Sequence, residues 1–561
     1  MSDHDERSES EGILRSSAVM AAGTVVSRLT GFLRAGLLAW ALGPLLHADI
    51  FNLANTIPNM LYILLAGGIF NAVLVPQLVR AMQHDEDGGD AYTNRVLTLA
   101  ALFLGVVTVL LVVAAPWVMQ PFLGGAWDSL PAQRESVIAF ARFCLPQVFF
   151  YGMFVLVGQI LNARGRFGPM MWAPIANNVI SVAVLVAYLL VYGTASDLCG
   201  GFTSSQEALL GLGSTLGIAV QLLILLPYLR AAGFRFHPRW DFRDAGLAHT
   251  LRLGLWTVLF VVVNQLAYTV VARLAGSGTA EAALDACSPA TQATGYTVYS
   301  TAFLIVMVPH SVVTVSLATA ILPRLSAYAA SDDLRGLART LVGALRSVLV
   351  VIVPFVALMP VLAPDLANLL LGHGATKDSY SLYVPTLSLF GVGLFFFTLH
   401  YLMLRGFYAL ERTRTVFWIQ CAVALTNIVV AVAVVPRVDP VRTAPVLVAA
   451  YAASYAVGAT VSYLVLGRAL GTTPGDAALV RFGVRLAIVV AMTAAVAYLV
   501  ERLAHATWGS HPHWLVSTAL LVVVGGLAVG TYLGLARMLH LAEVTEVWDT
   551  VTGRLRRRRR A

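Results

Sequence analysis

The sequence predicts an all-α integral membrane protein of about fourteen transmembrane helices. Of its 561 residues, 58% are hydrophobic and only 12% are charged, and the mean hydropathy is +0.78. This composition is typical of a lipid-embedded chain and leaves no stretch for a separate soluble domain. Helices are the expected spanning elements because each one satisfies its own backbone hydrogen bonds inside hydrocarbon.

The spans are predicted from apolar segments of about 20 residues, the length that crosses about 30 Å of hydrocarbon. They lie near residues 17–43, 50–80, 94–118, 135–161, 169–193, 208–230, 247–274, 294–325, 341–363, 381–408, 414–436, 443–467, 478–502 and 514–539.

Arginines in the short connections predict the orientation, since cytoplasmic loops carry an excess of Lys and Arg. With the N-terminus in the cytoplasm, the cytoplasmic connections are rich in arginine and the opposite connections are poor. Residues 1–16 are then a cytoplasmic tail, and an even number of spans returns the basic tail 541–561 to the same side. The arginine run in that tail either binds anionic lipid headgroups or acts only as a stop-transfer anchor.

A weak internal repeat predicts the domain organisation. Similar motifs surround Pro76 and Pro323, and a second pair of motifs surrounds Arg166 and Arg412 at nearly the same separation. Both pairs indicate a duplicated six-span unit whose copies are related by a pseudo-twofold axis along the membrane normal, a plan typical of alternating access. The expected domains are an N-lobe (17–231), a C-lobe (245–468) and an additional helix pair (477–540).

Charged residues inside the first spans indicate a ligand site. Arg28 and Arg34 lie within the first apolar segment, and Asp49 lies at the start of the second. A lone charge in hydrocarbon costs several kcal/mol unless it faces protein, water or a ligand. Positions six apart lie roughly 120° apart around a helix, near enough for two long guanidinium side chains to converge on one anion. The expected ligand is therefore negatively charged.

Further candidate cavity residues are polar groups of the second, fourth and seventh spans: Asn52, Asn55, Asn59, Arg142, Arg252 and Arg273. For the asparagines the alternative is hydrogen bonding between helices, which contributes about 1 kcal/mol each. For Arg252 and Arg273, near span ends, the alternative is that the side chain reaches the membrane interface. Arg142 fits an ion-pairing role and a substrate role equally well.

Glycine and proline predict hinges in the first two spans. Pro58 interrupts the second span, and Gly67 and Gly68 follow it, while Gly31 lies in the first span. A helix opened at proline frees backbone groups that only protein or water can satisfy. Close helix packing at small residues is the alternative to a hinge.

Cys199 and Cys287 both fall in connections predicted on the outer, oxidising side, so these two cysteines could form a disulfide. Elsewhere the sequence lacks a nucleophile–base pairing, a phosphate loop or a metal-ligand spacing. An enzyme, a cofactor and a bound metal are therefore not expected.

Several motifs resemble the signature of the MurJ/MviN family. They are Thr24 to Arg34, Ala48 to Phe51, Ile57 to Asn59, Leu161 to Phe167, Thr319 to Ser326 and Gly406 to Ala409. The likeness extends over essentially all spans, including the additional pair. Members of that family are lipid II flippases of the MATE-like multidrug/oligosaccharidyl-lipid/polysaccharide exporter superfamily.

The resemblance implies a MATE-like fold and transfer of undecaprenyl-diphosphate-linked peptidoglycan precursor across the bacterial cytoplasmic membrane for cell-wall synthesis. Arg28, Arg34 and Asp49 fall on family positions where functional charges occur. A cavity would hold the diphosphate, and a groove at 477–540 would hold the polyprenyl tail. The resemblance implies lipid II as a partner, together with cell-wall synthesis proteins, and no nucleic acid. A charged headgroup makes the transfer sensitive to the membrane potential, and coupling to that potential or to a monovalent cation is left open.

Departures from the family pattern keep alternatives open. Tyr62, Leu304 and Met307 stand where relatives carry charged residues. A flippase for another polyprenyl-diphosphate glycan is one alternative, and a MATE-like cation or drug antiporter is a second. A scaffold for cell-wall assembly without transport is a third.

Overall fold

A computed structural model describes residue 23 and residues 26–65, 81–82, 87–241, 247–285, 292–471, 477–508 and 513–544. These described residues form helices joined by turns and short connections, with no β-strand among them. The predicted all-α fold class is therefore confirmed. The described chain divides into two compact units.

The first unit lies within Met1–Thr291, together with Gly295–Thr297 and Gly374–Thr376. Its apolar core includes the fully buried side chains of Leu42, Leu46, Ile50, Trp127 and Phe140. Its principal helices are α1 (26–42), α2 (Leu46–Ala54), α3 (Thr56–Ile63), α4 (Asp90–Val113), α5 (Pro131–Cys144), α6 (Gln147–Ala163), α7 (Gly168–Tyr192), α8 (Ser204–Leu223, followed by Leu225–Ala231) and α9 (Leu247–Asp285).

Gly43 ends α1. Its φ of +78° lies in the left-handed region, and its N–H donates to the carbonyl of Ala39 at 2.9 Å. A Cβ on Gly43 would lie 2.6 Å from Cδ2 of Leu198. The backbone conformation therefore favours glycine here, and a larger residue would also displace the end of the Leu198 side chain.

The second predicted span is broken at Asn55, where α2 ends and α3 begins. Pro58, in the first turn of α3, has no N–H to donate to the carbonyl of Ala54, four residues earlier. The Asn55 N–H still bonds the carbonyl of Phe51 at 3.3 Å. The break therefore precedes the proline by one turn.

The second unit comprises Gln292–Thr294, Val298–His373 and Lys377–Ala561. Its last two helices pack on α12, where the Tyr532 hydroxyl donates to the carbonyl of Val350 at 2.9 Å. Helix α10 begins in the first unit and continues in the second. The helices are α10 (Tyr296–Val306), α11 (Val315–Ala330), α12 (Leu334–Leu371), α13 (Tyr383–Ala409), α14 (Thr413–Val434), α15 (Thr443–Leu470), α16 (Ala477–Trp508) and α17 (Trp514–Met538).

Within the described residues, twelve helices are long and apolar enough to cross a membrane, and they match the third to fourteenth predicted spans. The first two, 17–43 and 50–80, lie partly outside the described residues, so the count of fourteen is not confirmed. The predicted span 294–325 is not one continuous helix. It comprises α10, a π-helical turn at His310–Thr314 and α11, and Pro309 explains the interruption.

Candidate functional site

Arg28 and Arg34 lie on α1, whose outer face is apolar. Leu29 and Leu33 on that face are 62% and 55% exposed, as expected for side chains in contact with lipid. Both arginines are partly buried, and within the described chain neither guanidinium has a hydrogen-bond or ion-pair partner. Arg164 differs, because it pairs with a carboxylate. The first unit thus holds two cations without a counter-charge among the described residues.

A small cleft surrounds Arg34. Ser181 of α7, Ser214 of α8 and Phe51 of α2 line it together with the arginine. The guanidinium also lies near enough to Tyr151 of α6 to interact with it electrostatically. Arg34 therefore has polar neighbours on several helices but no anionic partner among the residues that the structure describes.

A polar strip, Asn55, Asn59, Gln147 and Tyr151, joins α6 to the α2–α3 junction. The Gln147 amide donates to Oδ1 of Asn55 at 3.2 Å, and the Tyr151 hydroxyl donates to Oδ1 of Asn59 at 3.3 Å. The ring of Tyr62 lies 4.7 Å from that of Tyr151. Asn55 and Asn59 are four positions apart, and so are Gln147 and Tyr151, so the two side chains of each pair share a face. This matched spacing is the signal by which Tyr151 could have been found from the sequence.

Asp49 is fully buried and its carboxylate is occupied. It accepts hydrogen bonds from the Thr279 hydroxyl at 2.6 Å, from the Tyr296 N–H at 3.0 Å and from the Thr297 N–H at 2.6 Å. Asn52, one turn further along α2, donates to the Thr297 hydroxyl at 2.9 Å. A carboxylate at the first N–H groups of α10 satisfies donors that no helical carbonyl reaches. Asp49 therefore positions the start of α10, and its predicted ligand contact stays a prediction.

The other candidate arginines lie elsewhere. Arg142 is exposed on α5. Arg273 on α9 donates to the carbonyls of Gln120 and Pro121 at 3.1 and 3.3 Å, so its guanidinium is partly used in binding a connection. The side chain of Arg252 lies outside the described residues. Their predicted cavity role stays a prediction, and for Arg273 the observed contacts favour a structural one.

The predicted hinge residues are partly described. A Cβ on Gly31 would lie 3.8 Å from Nδ2 of Asn178 of α7, which is ordinary van der Waals distance. The same amide donates to the carbonyl of Ser27 at 3.0 Å. Gly31 therefore lies where α1 and α7 pack together. Gly67 and Gly68 lie outside the described residues, and hinge motion stays a prediction.

The second unit contains a cation of its own, Arg405 on α13. Its guanidinium lies 4.2 Å from the ring centroid of Tyr401 and 5.6 Å from that of Tyr408. Its Nε is buried and has no hydrogen-bond partner in the described part of the chain. Leu304 lies on α10 and Met307 directly follows it. Tyr401 and Tyr408 lie one turn before and after Arg405, so the helical spacing places both rings on the side of the guanidinium.

Cys199 is disulfide-bonded, whereas Cys144 and Cys421 carry free thiols. Cys287 lies outside the described residues. Its pairing with Cys199 stays a prediction.

Comparison with known proteins identifies the family. A family model described as "Lipid II flippase MurJ" matches residues 38–518. The chain belongs to the MurJ family. The probable lipid II flippase MurJ of Haemophilus influenzae is 27% identical over 414 residues, covering 70% of this chain and 75% of that protein. The corresponding Vibrio cholerae MurJ is 27% identical over 429 residues, covering 72% and 74%.

Solved structures agree with this membership at the level of the fold. A lipid II flippase MurJ in an inward closed conformation superposes with a TM-score of 0.69 at 16% identity, covering 94% of this chain and 99% of that one. An inward-facing multidrug resistance MATE family transporter gives 0.61 at 16% identity, covering 79% and 94%. This MurJ family chain is therefore a multi-pass membrane protein with the MATE-like fold.

Proposed function

We propose that this protein is a lipid II flippase of the bacterial cytoplasmic membrane. The observation that carries the proposal is the pair Arg28 and Arg34, two cations on α1 without a counter-charge among the described residues, in a chain of the MurJ family. Transport by such a protein makes and breaks no covalent bond, so no catalytic residue is assigned.

The chemistry of guanidinium favours a phosphate ligand. Its planar fork of donors matches phosphate oxygens bidentately, and it is more weakly hydrated than an ammonium group. A cation inside a span is costly unless a ligand, water or protein compensates it. A lipid diphosphate supplies that compensation when bound, and the polyprenyl chain keeps the complex in the membrane.

The polar strip supplies partners for the uncharged part of a glycolipid headgroup. Asn59 is exposed, and Tyr151 beside it has a hydroxyl that can donate and accept. Sugar hydroxyls and peptide amides are ligands of the same kind. Arg34 next to this strip would place the diphosphate beside the sugar.

For the transport cycle we propose alternating access between the N-lobe (17–231) and the C-lobe (245–468), with both termini in the cytoplasm. The helix pair at 477–540 would accommodate the polyprenyl tail. A charged headgroup that crosses the full field gains or loses about 2.3 kcal/mol per charge per 100 mV, so the membrane potential or a monovalent cation could drive the cycle. The basic tail 541–561 would bind anionic lipids, and cell-wall synthesis proteins would take up the product.

A cation or drug antiporter of the same superfamily is the second candidate. It requires an accessible carboxylate in the N-lobe, and Asp49 is the carboxylate predicted for it. Asp49 is fully buried and already accepts three hydrogen bonds. This geometry favours the anionic ligand over the cationic one.

Complementation of a bacterial strain depleted of its lipid II flippase tests the proposal. We expect growth with the wild-type chain, and loss of growth with Arg28→Ala or Arg34→Ala at equal membrane abundance. Arg134→Ala is the matched control, since the Arg134 side chain is 38% exposed and its Asp128 partner lies 3.4 Å away. If Arg28→Ala and Arg34→Ala both restored growth as well as Arg134→Ala does, the proposed role of the two arginines in binding lipid II would be contradicted.

A further inference from the structure

A buried cluster of three metal-ligating side chains lies in the second unit, apart from the residues discussed so far. Asp365 projects from α12, and Glu501 and His505 project from α16. Asp365 is 3% exposed and Glu501 is 9% exposed. Glu501 and His505 are four positions apart, so both side chains leave the same face of their helix.

The distances in this cluster are those of loose ion pairs, longer than ordinary hydrogen bonds, and they also suit a shared metal ion. Nε2 of His505 lies 3.6 Å from Oδ2 of Asp365 and 3.4 Å from Oε1 of Glu501, whereas N–H···O bonds are 2.7–3.2 Å long. Tetrahedral zinc binds nitrogen and oxygen at 2.0–2.2 Å, which separates neighbouring ligand atoms by about 3.4 Å. All three ligand atoms lie within 4.8 Å of one another.

The charge of the cluster is also unbalanced. Two carboxylates are buried side by side, and Oδ1 of Asp365 is buried without a hydrogen-bond partner among the described residues. Asn368, one turn further along α12, donates its amide to the Ser517 hydroxyl at 2.9 Å instead. Buried carboxylates are costly unless they are paired or coordinate a metal. A cation is therefore required at this cluster, and it is either protonated His505 or a bound metal ion.

We propose that Asp365, Glu501 and His505 bind one divalent transition-metal ion, with zinc the preferred ion and water as the fourth ligand. One imidazole and two carboxylates form a ligand set that zinc accepts, whereas magnesium prefers six oxygen ligands in octahedral geometry. The side chain of His505 remains 18% exposed, which leaves an entry path. The bound ion would join α16 to α12.

The proposed site departs from the expectation that the sequence contains no metal-ligand spacing. Glu501-x-x-x-His505 is a one-turn ligand pair on a helix, the spacing that zinc sites on helices use. The third ligand comes from a helix more than a hundred residues earlier, so the sequence alone does not bring the three together.

Metal binding by the purified full-length protein in detergent tests the proposal. After treatment with EDTA and dialysis, the chain is titrated with Zn²⁺ by calorimetry, and bound metal is counted by mass spectrometry. We expect one Zn²⁺ per chain, no comparable binding of Mg²⁺, and a Zn²⁺-dependent rise in the thermal unfolding midpoint. His505→Ala and Glu501→Gln should each weaken binding at least 100-fold.

Two further variants keep the test decisive. His505→Cys retains a zinc ligand and should retain binding, which distinguishes ligation from a packing role. His237→Ala removes an exposed histidine of the first unit and should bind zinc like the wild type. Absence of zinc binding by the wild-type chain, or equal binding by His505→Ala and the wild type, would overturn the proposal. In either case an ion pair of protonated His505 with the carboxylates would be the better description.

Discussion

Removal of the Asp49 carboxylate should destabilise the first unit strongly. The side chain is fully buried and accepts one hydrogen bond from the Thr279 hydroxyl and two from the N–H groups of Tyr296 and Thr297. These contacts join α2 to α9 and to the start of α10. Asp49→Ala leaves all three donors buried without an acceptor.

The magnitude follows from these three donors. A buried donor without a partner costs about 1–3 kcal/mol, and the hydroxyl can rotate to a new acceptor more easily than the N–H groups can. We therefore expect Asp49→Ala to lower the free energy of unfolding by about 4 kcal/mol. Asp49→Asn keeps one acceptor oxygen and should cost about 2 kcal/mol, and Thr279→Val, which removes one bond, about 1 kcal/mol.

Thermal unfolding of the purified variants in detergent, followed by tryptophan fluorescence, should rank them in that order. The double variant Asp49→Asn/Thr279→Val should be less destabilised than the sum of the single variants, because they share one bond. An Asp49→Ala protein with the wild-type unfolding midpoint would refute the positioning role. If Asp49→Asn kept wild-type stability but lost lipid transport, Asp49 would instead contact the transported ligand.

Two other predictions concern the backbone and the thiols. Gly43→Ala should lower the unfolding midpoint, because a Cβ strains a backbone with positive φ, whereas Gly525→Ala, with open space around it, should not. Equal unfolding midpoints for Gly43→Ala and the wild type would contradict this prediction. When the chain is denatured without reduction, we expect two of its four cysteines to react with an alkylating reagent. Digestion should then yield a peptide that links Cys199 to Cys287. Four reactive thiols would exclude that disulfide.

The helices were predictable because their signal is local. Length and hydropathy are properties of each segment, and the third to fourteenth predicted spans match helices of the described chain. The interruptions were less predictable. Pro58 indicated a break in the second span but not its place at Asn55, and Pro309 breaks a span that hydropathy alone joins.

The site was predictable as a set of residue types but not as a set of contacts. The cost of burying Arg28 and Arg34 could be inferred from the sequence. The partners of Asp49 could not, because Tyr296 and Thr297 are about 250 residues away and offer backbone donors that any residue would carry. Such contacts depend on tertiary structure.

Lipid II movement in proteoliposomes tests the central claim most directly. Purified protein is reconstituted with fluorescent lipid II, and the fraction of the lipid II that is accessible to a membrane-impermeant reagent is measured over time. We predict that the wild type and the Arg134→Ala control exchange lipid II between leaflets, and that Arg28→Ala and Arg34→Ala each slow the exchange at least tenfold. Exchange at the wild-type rate by both Arg28→Ala and Arg34→Ala would contradict the proposal that these arginines bind lipid II.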